Sequence, residues 1–110
     1  MRKLSPAVSH QKFLIQSLHD PQEASAYLNA ALESGDRRAF CLALKNVLDA
    51  QGGMTHFARK TRINRVSLYQ MLSENGNPGF ENILVLLRSV GIKFQVTSKE
   101  YSKHPHKKAA

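Results

Sequence analysis

Between Gly53 and the turn-rich run Glu74-Asn75-Gly76-Asn77-Pro78-Gly79, the chain has room for only two short helices, at 55 to 61 and 65 to 73. The few residues between them can form nothing but a tight turn, which is helix-turn-helix spacing. Ala58 is small enough to let two helices cross closely. Ile63, five residues later, plugs the turn, while Leu68 and Met71, ten and thirteen residues after Ala58, hold the second helix against the domain. Asn64 is placed to cap that helix, because its side-chain oxygen can accept from amides two or three residues on.

The surrounding chain supplies scaffold. Asp20-Pro21 reads as a helix start, and Ala24, Tyr27, Leu28, Ala31 and Leu32 then share one helical face until Gly35. Asp36 caps the next helix, where Phe40, Leu44, Val47 and Leu48 repeat at helical spacing up to Gly52-Gly53. A fifth helix spans Phe80 to Val90 and stops at Gly91. Beyond it Ile92, Phe94 and Val96 alternate with Lys93, Gln95 and Thr97, the period of one half-buried strand. The expectation is an all-α fold, a five-helix bundle with a helix-turn-helix and one short C-terminal β-strand. Residues 1–19 form an N-terminal arm, 20–98 the domain and 99–110 a flexible basic tail. A chain of 110 residues can bury one core of this size, not two.

Charge is local. Residues 22 to 53 hold three cations and four anions, whereas 54 to 72 hold Arg59, Lys60, Arg62 and Arg65 and no acid. Overall, 16 Lys and Arg against 8 Asp and Glu leave a formal charge of +8, which makes a polyanion the first partner to consider. A major groove admits one α-helix and is read by side chains near its N-terminus. On the outer face of the second short helix, Arg65 can donate twice to guanine, Gln70 can pair with adenine, and Val66 suits a thymine methyl. Tyr69 can meet either a base edge or a phosphate. Thr55, His56, Asn64, Asn77 and Asn82 are candidates for phosphate contacts. An RNA-binding role is disfavoured by the shortage of stacking aromatics, Tyr69 and Tyr101 being the candidates.

Other classes find little support. The lone Cys41 excludes an intrachain disulfide and sits in an apolar stretch that suits a buried thiol. His104 and His106 in the tail are too few to predict a metal site. No carboxylate pair, nucleophile with its base, or phosphate-binding glycine loop occurs at meaningful spacing, so neither catalysis nor a cofactor is expected. No apolar run approaches the roughly 20 residues that span a bilayer, and Met1-Arg2-Lys3-Leu4 opens no signal peptide, which predicts a cytoplasmic protein without a membrane partner.

The apolar run Ile83-Leu84-Val85-Leu86-Leu87 covers more of its helix than one small core can bury, and a single strand has no mate in its own chain. Val85, Leu86, Ile92, Phe94 and Val96 are therefore the expected contacts of a homodimer.

The run from Gly53 to Ala58-Arg59 and from Arg65 through Leu68-Tyr69, Leu72-Ser73 and Asn75-Gly76-Asn77-Pro78 resembles the antidote proteins of bacterial addiction modules, within the Cro/repressor-type helix-turn-helix superfamily. The resemblance extends from about Asp20 to Val96 and includes Ala26-Tyr27-Leu28, Ala31-Leu32-Glu33 and Gly35-Asp36. It implies a DNA-binding antitoxin that neutralises a small RelE/ParE-like toxin and represses its own operon by binding double-stranded operator DNA as a dimer. The alternatives are a stand-alone transcriptional regulator and a toxin-masking protein with little DNA binding. Phe13, Leu14, Ile15 and Leu18, an apolar stretch ahead of Pro21, are the candidate toxin contacts. One departure stands out, since Arg62 occupies the turn position where the superfamily often has a left-handed glycine.

Overall fold

Each of three helix starts is closed by a short polar side chain. In the computed structural model, which describes residues 6–99 and the side chains of 11–99, Asp20 accepts from the Gln22 amide at 3.0 Å and Asp36 from the Arg38 amide at 3.0 Å. Asn64 accepts from Val66 at 2.9 Å and from Ser67 at 3.2 Å. Two free amides at that end are thereby satisfied, as the sequence predicts. The helices are α1 (Pro6–Ser17), α2 (Pro21–Glu33), α3 (Arg37–Ala50), α4 (Met54–Thr61), α5 (Arg65–Met71) and α6 (Phe80–Ser89).

The described residues thus hold six helices and no strand, which corrects the expectation of five helices with a C-terminal β-strand. The additional helix is α1. It lies within the segment expected to be an arm, and it packs on α3. Leu14 and Leu18, four apart and so on one helical face, turn inward. Leu18, expected to meet a toxin, is only 1% exposed and belongs to the core, whereas Phe13 is exposed and Leu14 and Ile15 are half-buried. Around this junction Gln51 Nε2 donates to the Leu18 carbonyl at 3.3 Å, and His19 Nδ1 lies 2.9 Å from the Ala50 carbonyl.

The missing strand has a simple cause. Gly91, at φ +75°, closes α6 by sending its own amide to Arg88 O and the Ile92 amide to Leu87 O. The residues after it take up no regular structure, because alternation creates a ladder only beside a second strand, and the described residues contain none. Ile92 folds back against the core, while Phe94 rests edge-on against Phe80 with ring centroids 5.5 Å apart and Val96 is 83% exposed.

α3 packs against α1, α2 and α4, and α4 in turn against α5 and α6. Leu28, Cys41, Leu44, Val47, Leu48, Phe57, Leu68, Leu72, Leu86 and Leu87 fill the space between them. Leu86, expected at a dimer interface, is 0% exposed within its own chain, because α6 turns its most apolar stripe toward α4. Cys41 is buried, as its apolar surroundings suggested. No helix among the described residues is long and apolar enough to cross a membrane.

Candidate nucleic-acid interface

The turn between α4 and α5 consists of Arg62, Ile63 and Asn64. Thr61 ties it to α4, donating its hydroxyl to the Phe57 carbonyl at 2.7 Å and accepting from the Ile63 amide at 3.3 Å. Arg62 adopts the left-handed conformation, φ 65° and ψ 20°, and is the one described non-glycine residue with positive φ. Ala58, Ile63 and Met71 lie half-buried against the core, and Leu68 is fully buried, so the inward side of the pair is apolar throughout.

The loop after α5 crosses closely over its last turn. A Cβ at Gly76 would collide with the carbonyl oxygens of Gln70 and Met71, so only glycine fits there. Arg37 of α3 donates from Nη1 to the Gly76 carbonyl and Arg38 meets Glu74 at 3.4 Å, so both arginines of α3 brace the loop.

The outward side of α5 carries Arg65, Val66, Tyr69 and Gln70, all exposed and all on one short helix. Arg65 Cζ lies 5.4 Å from the centroid of the Tyr69 ring. A second cation, Lys45 of α3, places Nζ 5.9 Å from the same centroid and bonds to Asp49 at 3.2 Å. Lys45 escaped the sequence reading, since nothing local to it signals a neighbour on α5.

The four cations of the 54 to 72 segment part into two groups. Lys60 is drawn to the end of α6, donating to the Ser89 carbonyl at 2.8 Å, and lies 5.6 Å from the Phe57 ring. Arg59, Arg62 and Arg65 are exposed and make no ion pair with any described acid. Their charge is left to solvent and to whatever polyanion approaches.

The candidate phosphate contacts are not equally available. Thr55 and His56 stand exposed in the first turn of α4, the His56 ring edge-on to Phe57 at 4.7 Å. The oxygen of Asn64 is taken up by its cap, leaving its amide nitrogen. Asn77 accepts from the Gly79 amide at 3.4 Å. Asn82 is half-buried and donates to the Pro78 carbonyl at 2.8 Å, which commits it to shaping the start of α6. Of the expected dimer contacts other than Leu86, Val85 and Ile92 are half-buried and Phe94 and Val96 exposed. No cluster of three metal-ligating side chains occurs among the described residues, and His104, His106 and Tyr101 lie outside them.

Residues 10–98 match the sequence profile of a family described as "Probable addiction module antidote protein". A relative from Haemophilus influenzae, named only as an uncharacterized protein, is 29% identical over 87 residues, covering 79% of this chain and 89% of that protein. No solved structure matches the chain.

Proposed function

The chain belongs to the probable addiction module antidote family, which gives it an antitoxin role and a toxin as partner, and from that premise we propose that it is also a DNA-binding repressor of its own operon. In this reading α4 and α5 form a Cro/repressor-type helix-turn-helix, α5 enters the major groove, and the toxin is a small RelE/ParE-like protein. Arg65 and Gln70 read base edges, Val66 meets a thymine methyl, and Thr55 and His56 meet phosphate. The protein acts as a homodimer and catalyses no reaction. Its dimer contact lies on the exposed part of α6 and the segment after it, where Phe80, Phe94 and Val96 present apolar surface.

The observation that carries the reading is the exposure of Arg59, Arg62 and Arg65 without acidic partners beside a helix face of groove-suited side chains. Paired arginines would favour a structural role, whereas unpaired ones on one surface create the positive field that a duplex needs. The test is a binding titration with three probes: the duplex immediately upstream of this gene, a scrambled duplex of equal composition, and the single strand. Alongside it the product of the neighbouring gene is co-expressed and its co-purification scored. Preferential binding to the upstream duplex together with co-purification is the expected result. Co-purification without duplex preference would leave a toxin-masking protein, and duplex preference without any toxin would leave a stand-alone regulator.

A further inference from the structure

We propose that Lys45 is a positioning residue for Tyr69, and through Tyr69 a determinant of which DNA sequence the protein prefers; the second half rests on the DNA-binding reading above. Tyr69 is 41% exposed, so packing alone holds its ring only in part. Two cations supply the remainder, with Arg65 Cζ at 5.4 Å and Lys45 Nζ at 5.9 Å from the ring centroid. Both distances lie within the reach of a cation–π contact.

The two cations differ in what they are free to do. Arg65 stands in the first turn of α5 and makes no ion pair with a described acid, so nothing holds its guanidinium over the ring when a base draws it away. Lys45 stays. Its backbone sits in the most buried stretch of the molecule, between Leu44 and the run Asn46-Val47-Leu48, and its ammonium is held by Asp49 one turn along α3 at 3.2 Å. Lys45 therefore keeps Tyr69 in place at the moment Arg65 is drawn to DNA.

The same pairing argues against a direct phosphate contact for Lys45. The Asp49 carboxylate beside it carries the opposite charge, so a phosphate approaching the pair meets no net attraction. What Lys45 supplies is a fixed ring, which suits readout of sequence more than overall affinity.

The experiment compares Lys45→Met, which keeps the stem and removes the charge, with Lys45→Arg, which restores a cation. In the DNA-free protein on an Arg65→Ala background, which removes the other cation, NMR couplings of Tyr69 should show one dominant χ1 rotamer, averaging when Lys45→Met is added and recovery with Lys45→Arg. With the upstream and scrambled duplexes, Lys45→Met should lower the preference ratio about twofold to fivefold, the size of one exposed cation–π contact. Lys45→Arg should recover it, and the salt slope should stay that of the parent. In a Tyr69→Leu background Lys45→Met should change the ratio no further, because its effect passes through the ring. Equal weakening on both duplexes with a shallower salt slope would make Lys45 a phosphate contact and overturn the proposal. So would an unchanged rotamer and an unchanged ratio. If the parent itself prefers neither duplex, the DNA-binding reading fails on that result and takes the sequence-preference half with it. The rotamer comparison on the Arg65→Ala background then decides the positioning half alone: averaging with Lys45→Met sustains it, and equal order with and without Lys45→Met overturns it.

Discussion

Asn46 Nδ2 donates a hydrogen bond of 2.9 Å to the Tyr27 hydroxyl, joining α2 to α3 at the one buried polar side chain among the described residues. Tyr27→Phe removes the acceptor and leaves a buried amide donor without a partner. That should cost about 1–3 kcal/mol of unfolding free energy, read from the urea midpoint at constant slope. Pairing it with Asn46→Leu, which removes the stranded donor, should recover part of the loss. An unchanged midpoint in Tyr27→Phe would mean that water satisfies Asn46.

Arg62 gives the opposite expectation, a substitution that stabilises. A side chain at φ 65° bears a left-handed penalty of roughly 1–2 kcal/mol, which glycine escapes at the cost of a more flexible unfolded chain. Arg62→Gly should therefore raise stability by about 1 kcal/mol at most, while removing one cation from the candidate interface. A lower urea midpoint would show that the arginine side chain makes a compensating contact.

Cys41 links stability to alkaline pH. Burial raises its thiol pKa above the ordinary value, with the nearby Arg37 charge working against that shift. Because the folded-state pKa is the higher one, the contribution is full below the unfolded pKa, about 8.5, and is lost as pH rises through the folded value. The unfolded chain ionises first and is favoured there. The stability difference between the parent and Cys41→Ala should thus be constant from pH 6 to about 8 and should shrink above that. A difference independent of pH up to 10 would show that the thiol does not ionise differently in the two states.

Much of this architecture is written in local chemistry. Asp20, Asp36 and Asn64 cap the helices they precede, and Gly35, Gly52 and Gly91 follow the helices they end, because caps and stops act within a few residues. Two features needed information from further away. The large apolar residues near the end of α1, Phe13, Leu14 and Ile15, are consecutive, and only the docking of Leu14 and Leu18 on the core picks out the inner face. The alternation from Ile92 to Val96 reads as a strand, yet a strand exists only when another one pairs with it. The outer face of α5 was legible because its four residues lie within two turns of one helix. Lys45 was not, since its contact with Tyr69 joins positions 24 residues apart on different helices.

The candidate base-reading pair separates sequence readout from simple charge attraction. Arg65→Ala and Gln70→Ala should each cost about 1–3 kcal/mol on the upstream duplex and much less on the scrambled one, because a lost base contact matters only where the right base stands. The variants should then part company with salt. Gln70→Ala removes no charge, so its log–log salt slope should equal that of the parent, at about −0.9 per phosphate contacted. Arg65→Ala leaves Arg59 and Arg62 unpaired by acids, and most of the parent's slope should survive. If Arg65 is a phosphate contact instead, its loss would weaken both duplexes alike and make the slope shallower by about one unit. The reading fails if both variants bind the upstream duplex as tightly as the parent, since the rest of α5 offers a groove only the small Ser67: Leu68 and the following Leu72 face the core and Met71 packs against it.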